Sequence, residues 1–372
     1  MYADVIIVGG GITGSSIAYG LTQRNQRVIV LDGDDHDHRA SRANFGLVWV
    51  QGKGANMPEY QLWSRQSSAQ WSEFSRSLAD ITAQDLHHEQ HGGLVFCLGD
   101  DELEARRSSL QALQKKLGDV AVEWEIINRS EVESLMPGVK LGSEVCGASL
   151  GHRDGHANPL RLLLALQTSI QKLGGKIIGS THVQAIKRDG SGFVLETGSE
   201  TFRAQRVVVA AGNGSQALGE QVGLGVRLRP QRGQILVTER IEPLLPLPAS
   251  GLRQTREGSV MIGATHEDVG LDVATTGSAA AKLSTRALRV LPALADAKLV
   301  RQWAGLRVLT PDGCPVYAQS ESHPGAFIAL CHSGVTLAAV HADIIAQAVI
   351  DGKIPSSLNI FNTRRFDVPK AA

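Results

Sequence analysis

Three glycines near the start of the chain have the spacing of a dinucleotide-binding turn. The motif Gly9-x-Gly11-x-x-Gly14 follows an apolar run and precedes a helical pattern, and Asp32 ends the next apolar run. The first glycine permits the turn, the second lets backbone approach a pyrophosphate, and the third allows close helix packing. N–H groups at the helix start bind phosphate, and the acid accepts hydrogen bonds from a ribose. The pattern predicts dinucleotide binding, either FAD or NAD, by Gly9, Gly11, Ile12, Thr13, Gly14 and Asp32.

The cysteines and one histidine cluster lack the spacing of metal sites. The cysteines are far apart and form no CxxC pair: Cys97, Cys146, Cys314 and Cys331. This predicts reduced, mostly buried thiols of a cytosolic protein, and no zinc or iron–sulfur site within this chain. His87, His88 and His91 lie together without an accompanying ligand pattern. No metal site is predicted.

The composition is that of an ordinary globular protein without a charge bias. The 372 residues are 42% hydrophobic and 20% charged, and Lys plus Arg equals Asp plus Glu at 37 each. Without a net basic field, nucleic acid and anionic membranes are disfavoured as partners. The apolar run at residues 5–8 is too short for a signal-peptide core, and no apolar stretch approaches the roughly 20 residues of a membrane span. We expect a cytoplasmic protein.

The elements that must position the glycine motif alternate between strands and helices. The segments 4–8 and 27–32 contain apolar, mostly β-branched runs at residues 5–8 and 28–31 and lie on either side of a helical segment, which predicts a βαβ unit with strands buried on both faces. Further strand patterns cover residues 176–209 and 233–306. The fold class is therefore mixed α/β.

Helix boundaries have recognisable signals at three places. Asn158 and Pro159 form a cap and a first helical residue. Ser130 and Glu133 have the S-x-x-E spacing of a capping box. The last helix is predicted over residues 334–350.

Nucleotide-binding elements at the start, middle and end of the chain predict a discontinuous domain. We expect a Rossmann-like domain from residues 1–80, 140–225 and 300–372. Residues 81–139 and 226–299 are expected to form the substrate domain.

Three later segments carry a family resemblance. These are Val207-Val208-Val209-Ala210-Ala211-Gly212, Trp303-Ala304-Gly305-Leu306-Arg307 with Thr310-Pro311-Asp312-Gly313, and Cys331-His332-Ser333-Gly334-Val335-Thr336. Together with the glycine motif, they resemble in family order the FAD-dependent superfamily of D-amino-acid oxidase, sarcosine oxidase and glycine oxidase. The resemblance implies extended FAD and a substrate domain built on a large mixed β-sheet. Gly305 stands near the position where some members attach FAD to a cysteine, so non-covalent binding is expected.

The resemblance also implies roles for individual residues. Arg307 matches an arginine that binds the substrate carboxylate, for which a guanidinium offers two parallel hydrogen bonds. His266 and His332 are expected near the flavin, where a histidine can accept a proton. The reaction implied is hydride transfer from substrate Cα to flavin N5, leaving an imine. The remaining residues expected at FAD are Ser41, Arg42, Asn44, Phe45, Gly46, Leu47, Val183, Ala211, Gly212, Gly305, Ser333, Gly334, Val335 and Thr336.

Residues 44–54 and Arg253-Gln254-Thr255 are similar to a narrower group. They resemble catalytic β subunits of opine dehydrogenases (opine oxidases), D-hydroxyproline dehydrogenase and, more remotely, hydrogen cyanide synthase. That similarity implies a hetero-oligomer whose companion subunits carry further flavin, such as FMN, or an iron–sulfur cluster. Arg253 would meet a second anionic group or lie on the surface as an ordinary arginine.

The sequence therefore predicts an FAD-dependent dehydrogenase acting on a secondary-amine α-amino acid, D-hydroxyproline or an opine. An oxidase that reduces oxygen to hydrogen peroxide is the first alternative. A tRNA-modification flavoenzyme and a non-catalytic scaffold protein are further alternatives. The absence of a basic cluster disfavours the RNA enzyme.

Overall fold

A computed structural model of the chain describes residues 1–33 and 39–367. The strands are β1 (Tyr2–Val8), β2 (Val28–Leu31), β3 (Leu47–Val48), β4 (Gly93–Leu98), β5 (Trp124–Asn128), β6 (Val145–Gly151), β7 (Gly155–His156), β8 (Lys176–Ile178), β9 (Val183–Asp189), β10 (Gly192–Thr197), β11 (Thr201–Val209), β12 (Arg229–Arg240), β13 (Leu252–Gln254), β14 (Ser259–Gly263), β15 (Leu299–Leu309), β16 (Val316–Gln319) and β17 (Ala326–Leu330). The helices are α1 (Ile12–Gln23), α2 (Pro58–Thr82), α3 (Asp100–Leu117), α4 (Arg129–Leu135), α5 (Pro159–Lys172), α6 (Ser215–Glu220), α7 (Gly277–Val290), α8 (Ala338–Val340) and α9 (Ala346–Asp351), with a π-helical turn at His341–Ile345.

The first sheet has a parallel centre extended by antiparallel strands. β1 pairs in parallel with β2 and β11, and β8 and β17 continue the parallel order outward. β16 adds an antiparallel strand beside β17 at one edge, and the β9–β10 hairpin pairs antiparallel with the first half of β11. Val8 and Val209 are register partners, so the loops that follow them meet at one edge. Nucleotides bind at this edge in open α/β sheets.

The first sheet is buried on both faces, each of which packs into its own hydrophobic core. Val5 and Ile7 of β1 pack into a core shared with α1, α2, α5 and the C-terminal helices. Ile6 and Val8 pack into a second core with β9, β10 and β11. Burial on both faces explains why residues 5–8 of β1 form an unbroken apolar run.

The second sheet lies in a separate core with α4 and α7. β12 pairs antiparallel with β14 and β15, and β13 pairs with β14. A further antiparallel array has the order β4–β6–β5. It is linked to the sheet of β12, β13, β14 and β15 through a parallel bridge between Leu94 and Ala249. The mixed character of this sheet comes from that bridge.

The division into two domains stays a prediction, but strand pairing bears on its boundaries. β6 and most of β15 fall in segments expected to belong to the Rossmann-like domain, yet both strands pair in the second sheet. We propose that the substrate domain includes both strands. The cavity described below would then lie where the two domains meet.

Two helix boundaries differ from those expected from sequence. Asn128, and not Ser130, caps α4, because its side chain accepts the Glu131 N–H and Glu131 returns the bond. The last helix begins at Ala338 and contains the π-helical turn. Arg24 donates to the Ala342 carbonyl oxygen at 3.1 Å, and a side chain entering the helical ladder in this way favours a wider turn.

Within residues 1–33 and 39–367, no helix combines the length and apolar character needed to cross a membrane.

Candidate active site

The turn after β1 requires glycine at two positions. Gly9 has a φ of +110°, and a Cβ there would lie 2.4 Å from the Ala210 carbonyl oxygen. A Cβ on Gly14 would lie 2.0 Å from the Gly9 carbonyl oxygen. Only glycine therefore lets α1 approach β1 this closely. α1 starts at Ile12 without a side-chain cap.

Two side chains predicted to contact the cofactor are tied to this turn. Gly10 N–H donates to Asp32 Oδ1 at 2.9 Å, and Arg39 pairs with the same oxygen at 2.8 Å. Ile12 N–H donates to Ser41 Oγ at 2.9 Å. The turn, Asp32 and Ser41 thus form one cluster at the edge of the first sheet.

The other predicted cofactor residues approach this edge from several segments. Thr181 N–H donates to the Asp32 carbonyl oxygen at 2.7 Å, which brings the start of β9 at Val183 beside β2. Ala211 and Gly212 directly follow β11. Arg42 lies between Ser41 and the loop in which Asn44 Oδ1 accepts the Gly46 N–H at 2.7 Å. Gly334 faces the start of α1, because a Cβ there would lie 3.3 Å from Thr13 Oγ1.

A cavity of about 320 Å³ opens between this edge and the second sheet. Lys53 and Arg307 are its cationic lining residues, and none of the described lining residues is an aspartate or a glutamate. The cavity therefore suits an anionic ligand. Residues predicted for the site that line it are Asn44, Phe45, Leu47, His266, Gly305, Arg307, His332, Ser333, Val335 and Thr336.

Arg307 is held in a defined orientation on β15. Its Nη1 donates to the carbonyl oxygens of Thr265, at 2.8 Å, and Arg232, at 3.4 Å. In the part of the chain that the structure describes, no ion pair joins Arg307 to a carboxylate. Burial lowers the pKa of its guanidinium, which nevertheless stays charged at neutral pH. Arg307 can therefore offer its remaining N–H groups to a carboxylate.

An ion-pair network that sequence reasoning did not identify supports this orientation. Arg232 is buried and pairs with Glu267 at 2.6 Å and with Asp272. The Gln234 amide also donates to Glu267 at 2.9 Å. These contacts fix the segment that contains Thr265, whose carbonyl oxygen orients Arg307.

Gly233 makes room for Arg307, and we expect its replacement by alanine to weaken substrate binding. A Cβ at residue 233 would lie 2.7 Å from both Nη atoms of Arg307. The end of an arginine side chain can move, so stability should hardly change, whereas KM should rise about tenfold as the guanidinium leaves its position. Steady-state kinetics and thermal unfolding check this. Gly277→Ala is the matched control, since a Cβ there meets nothing within 4 Å. A normal KM in Gly233→Ala would contradict the expectation.

The two histidines of the cavity favour their neutral forms. Burial, Lys53 and Arg307 lower the pKa of His332 to about 3. Burial and then Arg307 lower the pKa of His266, whose Nδ1 lies 3.0 Å from Gln231 Oε1. His332 is therefore a poor proton acceptor at neutral pH.

Lys53 is a cavity residue that was not among the predicted site residues. Its Nζ donates to Ser333 Oγ, to Thr336 Oγ1 at 3.5 Å and to Tyr60 Oη at 3.4 Å. Burial lowers the pKa of its ammonium to about 8. The one signal available in the sequence was its position between Gly52 and Gly54, since glycines let a loop pass close to other groups.

Arg253 is buried outside the cavity lining, so it is not a surface arginine. Its Nη1 lies 3.4 Å from His156 Nδ1, and its guanidinium lies 6.0 Å from the centre of the Phe45 ring. His156 is the strand partner of Leu47. Arg253 therefore supports the loop at residues 44–47 from beneath, and the geometry does not bring it together with Arg307.

The histidine cluster near residue 90 makes local contacts. His88 stacks on Trp71 at 4.8 Å, and His87 lies 3.6 Å from Glu257. Within the described ranges, no group of three or more His, Cys, Asp or Glu side chains is arranged to hold a metal ion.

Comparisons with known proteins agree over nearly the whole chain. The family model for FAD dependent oxidoreductases (DAO) matches residues 4–348. One subunit of the opine oxidase of Rhizobium meliloti is 43% identical over 368 residues, and the corresponding subunit from Agrobacterium tumefaciens (strain Ach5) is 41% identical over 368 residues, each alignment covering 99% of both chains. The crystal structure of glycine oxidase from Geobacillus kaustophilus is similar with a TM-score of 0.88 at 26% identity, covering 98% of this chain and 99% of that chain.

Proposed function

Because this chain belongs to the family of FAD dependent oxidoreductases, whose model it matches over residues 4–348, we propose that it oxidises the C–N bond of a secondary-amine α-amino acid to an imine. The substrate would be an opine or D-hydroxyproline, each with a secondary amine beside a carboxylate. The two opine oxidase relatives, at 43% and 41% identity, favour this class.

The observation that carries the proposal is the position of Arg307 in a cavity whose described lining residues include no aspartate or glutamate. Its guanidinium is oriented by two carbonyl oxygens and has no ion pair with a carboxylate among the described residues. A buried cation in this setting favours an anionic ligand. An amino acid bound through its carboxylate would place its amine within the same cavity.

The described residues also fit FAD. Gly9 and Gly14 let the turn and α1 pack closely against neighbouring backbone, the N–H groups at the start of α1 are those that would bind a pyrophosphate, and Asp32 lies where a ribose would be bound. Phe45 and Ser333 line the cavity beyond, where the flavin would be held without a covalent bond. FAD supplies the acceptor for the hydride that leaves the substrate carbon.

The protein's own contribution would be orientation, exclusion of water and control of charge. Arg307 holds the carboxylate, which fixes the adjacent carbon and amine. The charges of Arg307 and Lys53 disfavour a substrate ammonium ion, because like charges lower the pKa of an amine. The bound amine is therefore shifted toward its neutral form, from which a hydride can leave.

We also propose that the chain works in a hetero-oligomer and passes its electrons to companion subunits. Both opine oxidase relatives are named as one subunit among others, and such a name implies an assembly. Direct reduction of oxygen is the second candidate, favoured by the similarity to a glycine oxidase structure. A cytoplasmic location stays a prediction from the sequence.

Anaerobic reduction of the bound flavin tests the reaction. Purified protein with FAD is mixed with an opine, D-hydroxyproline, sarcosine or glycine, and loss of the visible flavin absorption is followed. We expect rapid reduction by an opine or D-hydroxyproline, slow reoxidation by air and fast reoxidation by a dye. Fast reoxidation by air with formation of hydrogen peroxide would favour the oxidase. No reduction by any of these amines would contradict the proposed reaction.

A further inference from the structure

The ammonium group of Lys53 is held by hydroxyl groups and forms no ion pair among the described residues. Its three hydrogen-bond acceptors are Ser333 Oγ, Thr336 Oγ1 and Tyr60 Oη, and the Tyr60 ring centre lies 5.2 Å from Nζ. In the described part of the chain, Lys53 has no ion pair. A buried cation held by neutral groups attracts an anion.

The loop that carries Lys53 is anchored, so this charge has a defined position. The buried carboxylate of Asp154 accepts the N–H groups of Val50, at 2.5 Å, and Gln51, at 3.2 Å. The Gln51 side chain accepts a hydrogen bond from Arg106 at 2.8 Å. Burial lowers the pKa of Lys53, whereas the negative charge of Asp154 raises it. The Asp154 oxygen that forms hydrogen bonds, Oδ1, binds the loop backbone and not the Lys53 ammonium.

Lys53 and Arg307 lie on different walls of the cavity. Arg307 is bonded to Thr265 and packs over Gly233 of the second sheet, whereas Lys53 is bonded to the segment before α8. Besides burial, the charges of Lys53 and Arg307 both lower the pKa of His332, which also lines the cavity. A ligand in this cavity therefore meets a cation on either side.

We propose that Lys53 is a second anion-binding point, which makes the site selective for secondary amines that carry a carboxylate on each side of the nitrogen. This proposal rests on the proposed function and narrows its substrate class. An opine-like dicarboxylate can pair with Arg307 through one carboxylate and with Lys53 through the other. A cyclic amino acid such as D-hydroxyproline has one carboxylate and leaves one of the two cations unpaired.

Two ligands that differ by one carboxylate test this directly. Thiodiacetate has two carboxylates and (methylthio)acetate has one, and both carry sulfur in place of nitrogen, so neither has a C–N bond to oxidise. Their dissociation constants are measured by isothermal titration calorimetry on the FAD-loaded protein. Lys53→Met and Arg307→Met are compared with Lys115→Met, which removes an exposed lysine of α3.

We expect Lys53→Met to weaken thiodiacetate binding about tenfold or more and to change (methylthio)acetate binding by less than about twofold. Arg307→Met should weaken both ligands, Lys115→Met should weaken neither, and Lys53→Arg should restore thiodiacetate binding in part. Lys53→Gln, which keeps a donor toward Ser333, gives a second neutral variant should methionine disturb the loop.

Equal loss of both ligands in Lys53→Met, or no loss of thiodiacetate, would overturn the proposal. Loss of FAD or a changed flavin spectrum, without discrimination between the two ligands, would also overturn it and assign Lys53 to the cofactor. Because these titrations involve no turnover, they are independent of the flavin-reduction experiment. Failure of the proposed reaction and failure of the Lys53 site are therefore distinguishable.

Discussion

Replacement of Arg307 by methionine should lower kcat/KM for the amine substrate by about a hundredfold or more, because loss of a charge-paired hydrogen bond at a buried site costs roughly 2 to 5 kcal/mol. Methionine preserves much of the side-chain volume and removes all of the N–H donors. Most of the effect should appear in KM, since the carboxylate is bound in the ground state as well as in the transition state. Anaerobic flavin reduction at varied substrate concentration separates binding from the chemical step.

The structure offers a matched control on the same strand. Arg301 also lies on β15 but has an exposed side chain, so Arg301→Met removes an equal charge away from the cavity and should leave kcat/KM unchanged. Arg307→Lys should recover only part of the loss, because an ammonium group lacks the planar pair of donors. Unchanged kinetics in Arg307→Met would remove Arg307 from the carboxylate site.

Local patterns were sufficient to predict the elements that form the nucleotide-binding edge. The β-branched run at residues 5–8 is followed directly by the three glycines. The structure that these residues adopt depends on backbone geometry within about one strand and one helix turn. Helix α5 begins at Pro159, as the Asn158–Pro159 signal predicts. The same reasoning failed at Ser130, because Asn128 lies two residues upstream and is an equally good cap.

Lys53 shows what local reasoning could not supply. Its principal contact, Ser333, is 280 residues away in the chain, and its burial depends on Tyr60 of α2 as well. Nothing within the loop itself distinguishes a buried lysine from a solvated one. Arg253 is the opposite case, because an arginine is usually exposed, yet Met261 of β14 and Phe45 of the loop at residues 44–47 contact its buried side chain.

Gly14→Ala should cause the protein to lose FAD. The new Cβ would lie 2.0 Å from the Gly9 carbonyl oxygen, and backbone on both sides prevents the easy adjustment that a flexible side chain would allow. Overpacking of this kind costs about 1 to 3 kcal/mol, and here it falls on the start of α1, which is expected to bind the pyrophosphate. We therefore expect the dissociation constant of FAD to rise roughly 10-fold to 100-fold, by the same free energy.

Two measurements distinguish lost binding from lost folding. Absorbance after dialysis gives the amount of FAD retained, and far-UV circular dichroism reports whether the protein is folded. Gly277→Ala introduces the same methyl group at the first residue of α7, where nothing lies within 4 Å, and it should retain FAD fully. Added FAD should raise the unfolding temperature of the wild-type apoprotein more than that of Gly14→Ala, because a ligand at free concentration L stabilises the folded state by RT ln(1 + L/Kd), which falls as the dissociation constant rises. Full FAD retention in Gly14→Ala would mean that α1 can withdraw from β1 without affecting the pyrophosphate site. The close helix–strand contact would then serve the fold and not the cofactor.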